Sequence, residues 1–317
     1  MADTLLPTER HDPSRLMPVD LPREFRAFAE EKVTILGAGA PGKIGLLELE
    51  FAKVNGKTRM VHHYYRSPLQ FFQPLYYDPA RPDMPTIIFM QNGGGMLQGD
   101  RYRIDITCHE GAAAHVTTQS AGKLYKCEEN YVSQIVDMTA EAGSLIEFLP
   151  DYTIPYRQSR FFQRTSLHLD PTATVIVGDV ITPGRTAHGE YHEYEIFLAQ
   201  MDAFDLDGNL LVADTIKLQP TRFSPRNPAL LGRYDVFGVL YVFTRQVPPA
   251  DLVGTLRSAL APMSRTVCGV SELPNGAGVS VRILGDTGAT VEQARFVAWN
   301  AARQALFGVP APNMRKA

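Results

Sequence analysis

Cysteine is scarce in this chain of 317 residues: Cys108, Cys127 and Cys268 are the only three, and they are widely spaced. An odd number at such spacing does not make a disulfide framework and fits reduced thiols. Long apolar runs are missing as well. None approaches the roughly 18 residues that a membrane-spanning helix needs. Residues 1–30 carry charges throughout, with Pro7, Pro13, Pro18 and Pro22 among them and no apolar stretch, so no secretory signal is expected and a cytoplasmic location is. Charge of one sign is not concentrated anywhere. A formal charge of −3 without a basic stripe argues against a nucleic-acid partner.

The spacings that mark common catalysts are absent too. Ser120 stands in Gln-Ser-Ala-Gly, not in the GxSxG elbow, and no helix is expected to follow it. His188, Glu190 and His192 give HxExH rather than HExxH, and in a strand the two histidines would lie about 13 Å apart. His62 and His63 point to opposite faces of an expected strand. Cys108, His109 and Cys127 could converge across a hairpin as soft ligands, but a small buried cysteine is the commoner outcome. Gly37-Ala-Gly-Ala-Pro-Gly42-Lys43 nearly matches a phosphate-binding loop. Ile44 follows where that loop needs a hydroxyl for magnesium, and a strand is expected where it needs a helix N-terminus, so a glycine-rich turn is the reading.

What is present is a strand-rich pattern. Hydrophobic residues make 44% and charged residues 21% of the chain, the balance of a globular protein. Strands are expected from about Leu46 to Val54 and Thr58 to Tyr65, joined by the hairpin signal Asn55-Gly56. Further strands are expected over 86–91, 101–108, 113–120, 131–138, 144–149, 160–169, 173–182, 190–202, 210–218 and 232–245. A unit of Gly or Pro, small residues and an apolar strand recurs at roughly thirty residues, at Gly111, Gly143 and Pro171, which suits stacked coils of a β-helix or layered sheets. Pro248-Pro249 is expected to stop the strands. Two helices should follow, at about 249–262 and 290–308, the second opened by a Thr290/Gln293 capping box and closed by Gly308 and Pro310. Its face of Val291, Ala294, Ala298, Ala302 and Ala305 can approach a sheet closely. Phe296, Trp299 and Phe307 lie off that face and are candidates for partner binding. Residues 1–30 read as a loose arm with at most one helical turn near Arg23–Lys32, and 31–317 as one β-rich domain.

The stretch from Met90 to Cys127 organises the rest. Gly93, Gly94, Gly95 and Gly99 build a loop ending in Asp100, then Arg101 to Cys108 alternates polar and apolar residues with a period of two. Asp100 either caps the loop through backbone N–H groups or offers its carboxylate to a cation. Asp179, Glu190 and Asp214 also fall in or beside expected strands. Buried acids need partners such as Arg101, Lys123 or Arg185, and structural ion pairs are one reading. A hydrated passage lined by Asp100, Asp179, Glu190 and Asp214, holding a divalent cation loosely, is the other.

The runs GGGMLQGDRYRIDI and HVTTQSAGKLYK are similar to the signature of the UreD (UreH) family of urease accessory proteins. The residues that carry the likeness are Gly94, Gly95, Gly99, Asp100, Arg101, Thr117, Thr118, Gln119, Lys123, Tyr125, Gly184 and Arg185, supported by Leu149 to Pro155 and Asp207-Gly208. Two positions depart from the family pattern, Gly93 and Asp214. The resemblance implies a mainly β protein of layered β-helix-like sheets with two C-terminal α-helices. It implies a scaffold and not an enzyme: a nickel-insertion factor that binds UreF, recruits the GTPase UreG and docks on apo-urease, with dimerisation through UreF left open. Nickel would pass transiently and no cofactor would be held tightly. A stand-alone nickel store and an unrecognised β-rich enzyme are the competing classes.

Overall fold

Asn55 and Gly56 both have positive φ, 51° and 77°, so the chain turns in two residues between β1 (Ile44–Val54) and β2 (Lys57–Arg66). Such a turn matches the right-handed twist of antiparallel strands. In the computed structural model, which describes residues 15–16, 20–33 and 42–314, the chain then winds between two sheets. Strands β3 (Leu69–Phe71), β4 (Thr86–Gln91), β6 (Ala113–Thr118), β9 (Leu145–Phe148) and β12 (Thr174–Ile181) belong to one sheet. Strands β5 (Arg101–Cys108), β8 (Val132–Ala140), β11 (Arg160–Leu169) and β13 (Ile196–Asp205) join β1 in the other. Neighbours within each series, β1-β5-β8-β11-β13 and β4-β6-β9-β12, are parallel. Each coil thus gives one strand to each sheet, and the recurrence of about thirty residues is the length of a coil. Short strands β7 (Gly122–Leu124) and β10 (Thr153–Pro155) pair at the corner of successive coils.

Antiparallel strands close the sheets. Strand β14 (Leu210–Leu218) flanks β13, giving the seven-stranded order β14-β13-β11-β8-β5-β1-β2. Strands β15 (Val236–Phe243), β17 (Gly278–Gly285) and β16 (Thr266–Glu272) extend the ten-stranded sheet beyond β12. The last two correct the expectation that Pro248-Pro249 ends the strands: they lie between the helices, where β17 pairs with β15 on one side and with β16 on the other. The core sits between the sheets. Alternation sends Tyr102, Ile104, Ile106 and Cys108 into it while Arg101, Arg103, Asp105 and Thr107 face outward.

Helices cover both outer faces. Helices α2 (Pro249–Leu260) and α3 (Gly288–Phe307) bury Leu252, Leu256, Val291, Ala294, Ala298 and Ala302 on the ten-stranded sheet. Gly238 in β15 permits this approach, since a Cβ there would lie 2.5 Å from Val291. Helix α3 begins earlier than the sequence suggests. Thr287 is its N-cap and accepts a bond from the Thr290 N–H, so the capping pair is Thr287 with Thr290, not Thr290 with Gln293. Gly308 ends it at φ 68° as expected, but Ala305 is exposed. On the other outer face, α1 (Arg23–Ala29) is longer than one turn and is docked: Phe25 is buried against Tyr131, Phe162, Ile196 and Leu198. Glu31 accepts from the Asn130 N–H at 2.6 Å and pairs with Arg160 at 2.9 Å. The arm is therefore held where residues 20–33 are described; an apolar knob at Phe25 does what charge and proline content concealed.

Candidate functional site

The glycine loop and the corner strands form one surface. Gly95 leaves no room for a side chain, because a Cβ would stand 2.5 Å from the Tyr125 ring and 2.7 Å from the Lys123 carbonyl. Tyr125 packs on Tyr156 one coil later, with ring centroids 4.9 Å apart, and the Arg185 guanidinium lies 4.4 Å from the Tyr156 centroid. Gly94, Gly95, Lys123, Tyr125, Gly184 and Arg185, scattered in sequence, are thus brought together by coil stacking. Sequence reasoning missed Tyr156; its place one coil after Tyr125 is the signal that points to it.

The candidate acids separate. Asp100 is wholly buried and caps the loop: Oδ1 accepts the Lys43 N–H at 2.8 Å, and Oδ2 accepts the Leu97 N–H at 2.9 Å and the Tyr102 hydroxyl at 3.3 Å. Burial pushes its carboxyl above the ordinary range despite these bonds. Glu190 is bound by the Arg185 guanidinium, whose hydrogen bonds hold its carboxyl low. Asp214 accepts the Tyr241 hydroxyl at 2.6 Å and pairs with Arg282. The four acids therefore do not line one passage; three are committed to loop, corner and edge. Arg101 is likewise structural, donating to the Tyr131 carbonyl and to Asn130.

Asp179 differs. Between the sheets lies a cavity of about 120 Å³, lined by Gln134 and Gln163 from the seven-stranded sheet and by Gln91, Thr118, Thr153 and Asp179 from the other. Gln163 donates to Asp179 at 3.0 Å and accepts from Gln134 at 3.3 Å. Asp179 is enclosed by protein, and the surface it keeps faces the cavity. Burial raises its carboxyl, while the Arg295 charge and the Gln163 bond pull the other way. The Gln91 Nε2 is buried with no hydrogen-bond partner among the described residues. Thr118 and Gln119 of the threonine motif line this cavity, whereas Thr117 ties two coils together through the Leu149 carbonyl at 2.6 Å. Polar groups converging inside an otherwise apolar core are costly unless hydrogen-bonded, and the chain Gln134–Gln163–Asp179 meets that need in part.

Among the described residues, histidine and cysteine form no common centre. His192 meets Asp235 and Tyr194, His62 meets Glu48, and His63 lies edge-on to Phe71. Cys108 and Cys127 are buried, and burial pushes the Cys127 thiol up to about 11, so neither offers a thiolate readily. Among the described residues no group of three His, Cys, Asp or Glu could hold a metal ion.

The aromatic trio of α3 also divides. Trp299 is 4% exposed, donates to Glu147 at 3.0 Å and stacks on His115, so it is an anchor of the fold and not a free contact. Phe307 packs on Met84, Ala113 and Leu145. Of the three, Phe296 is the most open, beside a groove of about 820 Å³ between α3, strand β6 and the link Leu149–Tyr152 that follows β9. His115 and Glu147, which the sequence reading did not single out, are register partners on adjacent coils and bond at 3.0 Å. The near-match to a phosphate loop lies largely outside the described residues, but Lys43 leads directly into β1 and not into a helix.

The family model described as UreD urease accessory protein matches residues 43–317. The chain is 41% identical over 283 residues to urease accessory protein UreD 2 of Streptomyces griseus subsp. griseus, covering 89% of this chain and 96% of the relative. It is 37% identical to urease accessory protein UreD of Haloarcula marismortui, covering 95% of this chain and 100% of the relative. Urease accessory protein UreD 3 of Methylorubrum populi is 39% identical, with 95% and 97% covered. With the signature loop, the stacked coils and relatives matched over nearly their whole length, the chain belongs to the UreD family of urease accessory proteins.

Proposed function

We propose that this protein is a urease maturation factor that works as a non-catalytic scaffold. It binds UreF, the pair recruits the GTPase UreG, and the assembly docks on apo-urease so that Ni²⁺ reaches its active site. What supports nickel passage is one observation, the cavity between the sheets with Asp179 and several amide and hydroxyl groups on its wall. A carboxyl kept high by burial gives up its proton when a divalent cation arrives and takes it back when the cation leaves, so the site holds metal weakly. Amide and hydroxyl oxygens from Gln134, Gln163, Thr118 and Thr153 suit a borderline cation in transit better than a tight store. The described residues from 42 to 314 act as one unit in this reading, since one cluster of buried side chains runs from Leu47 to Ala277 and a second joins both C-terminal helices to the ten-stranded sheet.

The test is co-expression with urease, UreF and UreG, reading urease activity, urease nickel content and recovery of the UreF complex. Asp179→Asn, which keeps a hydrogen-bonding oxygen for Gln163, should leave the complex intact and lower both activity and nickel content. Full activation by this variant would remove Asp179 from the path. A stoichiometric nickel complex of the protein alone would favour the storage reading, and turnover without partners the enzyme reading.

A further inference from the structure

The cavity between the sheets has a mouth as well as a depth. Gly94, Gln119 and Ser120 on its wall are exposed, while Leu69, Leu124 and Phe148 on the same wall are buried. Lys123, half-buried in β7, lines it too. The sequence suggests this lysine as a partner for a buried acid. Its ammonium nevertheless pairs with no carboxylate among the described residues, whereas Lys126 on the same link pairs with Glu128 at 3.0 Å.

Other donors around this cavity lack acceptors as well. Among the described residues the backbone N–H groups of Gly94, Ser120 and Ala121 donate to no acceptor, and the Gln91 Nε2 is buried without a partner. The acceptors of the wall, by contrast, are engaged. Gln163 accepts from Gln134, Asp179 accepts from Gln163, and the Thr118 hydroxyl oxygen accepts the Asp151 N–H at 2.8 Å. An ammonium beside unmet amide donors, two of them on successive residues, is the chemistry that holds an anion.

From this we infer that the mouth of the cavity is a binding site for one small monocarboxylate. The carboxylate meets the Lys123 ammonium and the N–H groups of Ser120 and Ala121. A short apolar body lies inward against Leu124, Phe89 and Phe148, the last two stacked with ring centroids 6.3 Å apart. Charge sets the class of ligand. Lys123 is the one cationic side chain on the described wall, and Asp151 and Asp179 on the same wall oppose a dianion. Size sets the length, since a cavity of about 120 Å³ takes only a few carbon atoms. The site does not rest on nickel passage, whose support is Asp179 on β12, a strand that β9 separates from β6 and the link to Lys123.

The test titrates the full chain with sodium propionate at constant ionic strength, read by saturation-transfer NMR. Saturable binding with a Kd of about 1 mM is expected, the range open to so small a ligand. Propionamide, of nearly the same shape but uncharged, should bind roughly tenfold more weakly, and sulfate should not displace propionate. Lys123→Met should weaken propionate roughly tenfold with unchanged melting temperature, because this ammonium holds no partner in the fold, and Lys123→Arg should keep most of the binding. Should Lys123→Met fail to fold, the comparison of propionate with propionamide on the unaltered chain still decides. Absence of saturation by about 20 mM propionate overturns the inference. Equal binding of propionamide overturns it by removing the charge, displacement by sulfate by removing the ligand class, and full binding by Lys123→Met by removing the site. None of these readouts involves urease or nickel, so failure here is separate from failure of the scaffold reading.

Discussion

The indole N–H of Trp299 donates to Glu147 Oε1 at 3.0 Å, joining the middle of α3 to the second sheet through a carboxylate that has no exposed surface. The same carboxylate accepts from His115 and faces the Arg303 guanidinium, which in turn pairs with Asp78 at 2.7 Å. Buried charge is tolerated here because each carboxylate oxygen has a donor. Helix α3 is thus fixed by polar contacts in a set register as well as by its small apolar face.

Trp299→Ala should cost about 3 to 5 kcal/mol in denaturant unfolding, since it opens a cavity and removes a donor from Glu147. Phe296→Glu, at the rim of the groove, should change stability by about 0.5 kcal/mol or less. Equal losses for the two would show that Phe296 is also part of the core. If Phe296 belongs to a partner surface, its variant should lose the UreF complex while remaining folded.

Acid should release this latch. Burial alone would raise the Glu147 carboxyl, but the His115 bond and charge, the Arg303 charge and the Trp299 bond outweigh it and hold the carboxyl below its ordinary 4.5. A carboxyl lowered by folding contributes stability that is complete above its unfolded value and is lost as pH falls through its folded value. Melting temperature should therefore drop below about pH 4.5. Glu147→Gln should be less stable at neutral pH and should show a flatter acid limb. An unchanged acid limb would assign the loss to other carboxylates.

Asp100→Asn should be costly, contrary to what a single-acceptor cap would suggest. The two carboxylate oxygens accept two different backbone N–H groups, and an amide can replace only one of them. Its NH₂ would face a second donor, at a cost of about 1 to 3 kcal/mol. Differential scanning calorimetry measures this directly. Wild-type stability would mean that the loop re-forms around the amide.

Lys43→Ala should leave the protein unchanged in nucleotide assays, with no GTP or ATP hydrolysis above background before or after the substitution. Lys43 precedes a strand, so no helix N-terminus presents free N–H groups to a phosphate. Magnesium-dependent turnover lost with Lys43→Ala would contradict this.

Strand positions were legible because their signal is local. The alternation in Arg101 to Cys108 and the run Arg160 to Leu169 correspond to β5 and β11 at both ends. Strands β16 and β17 were not, because Thr266 to Gly285 is rich in small residues and its pairing partner β15 lies before a helix. The glycines at 94, 95 and 99 could be recognised as a loop, but the reason for Gly95 is Tyr125, which reaches it only after the coil is wound.

The sequence by itself determined the family, the strand-rich class, the coil length and the hairpin at Asn55-Gly56, all of which depend on residues near one another along the chain. Tertiary structure alone decided which polar residues are structural and which face open space. Asp100 and Asp179 look alike in sequence, yet one is saturated by backbone donors and the other lines a cavity. Trp299 and Phe296 share a helix, yet one is sealed against Glu147 and the other lies open. Burial, and with it the cost of leaving a charge or a ring unpartnered, is a property of contacts between distant coils, so no window of the sequence contains it.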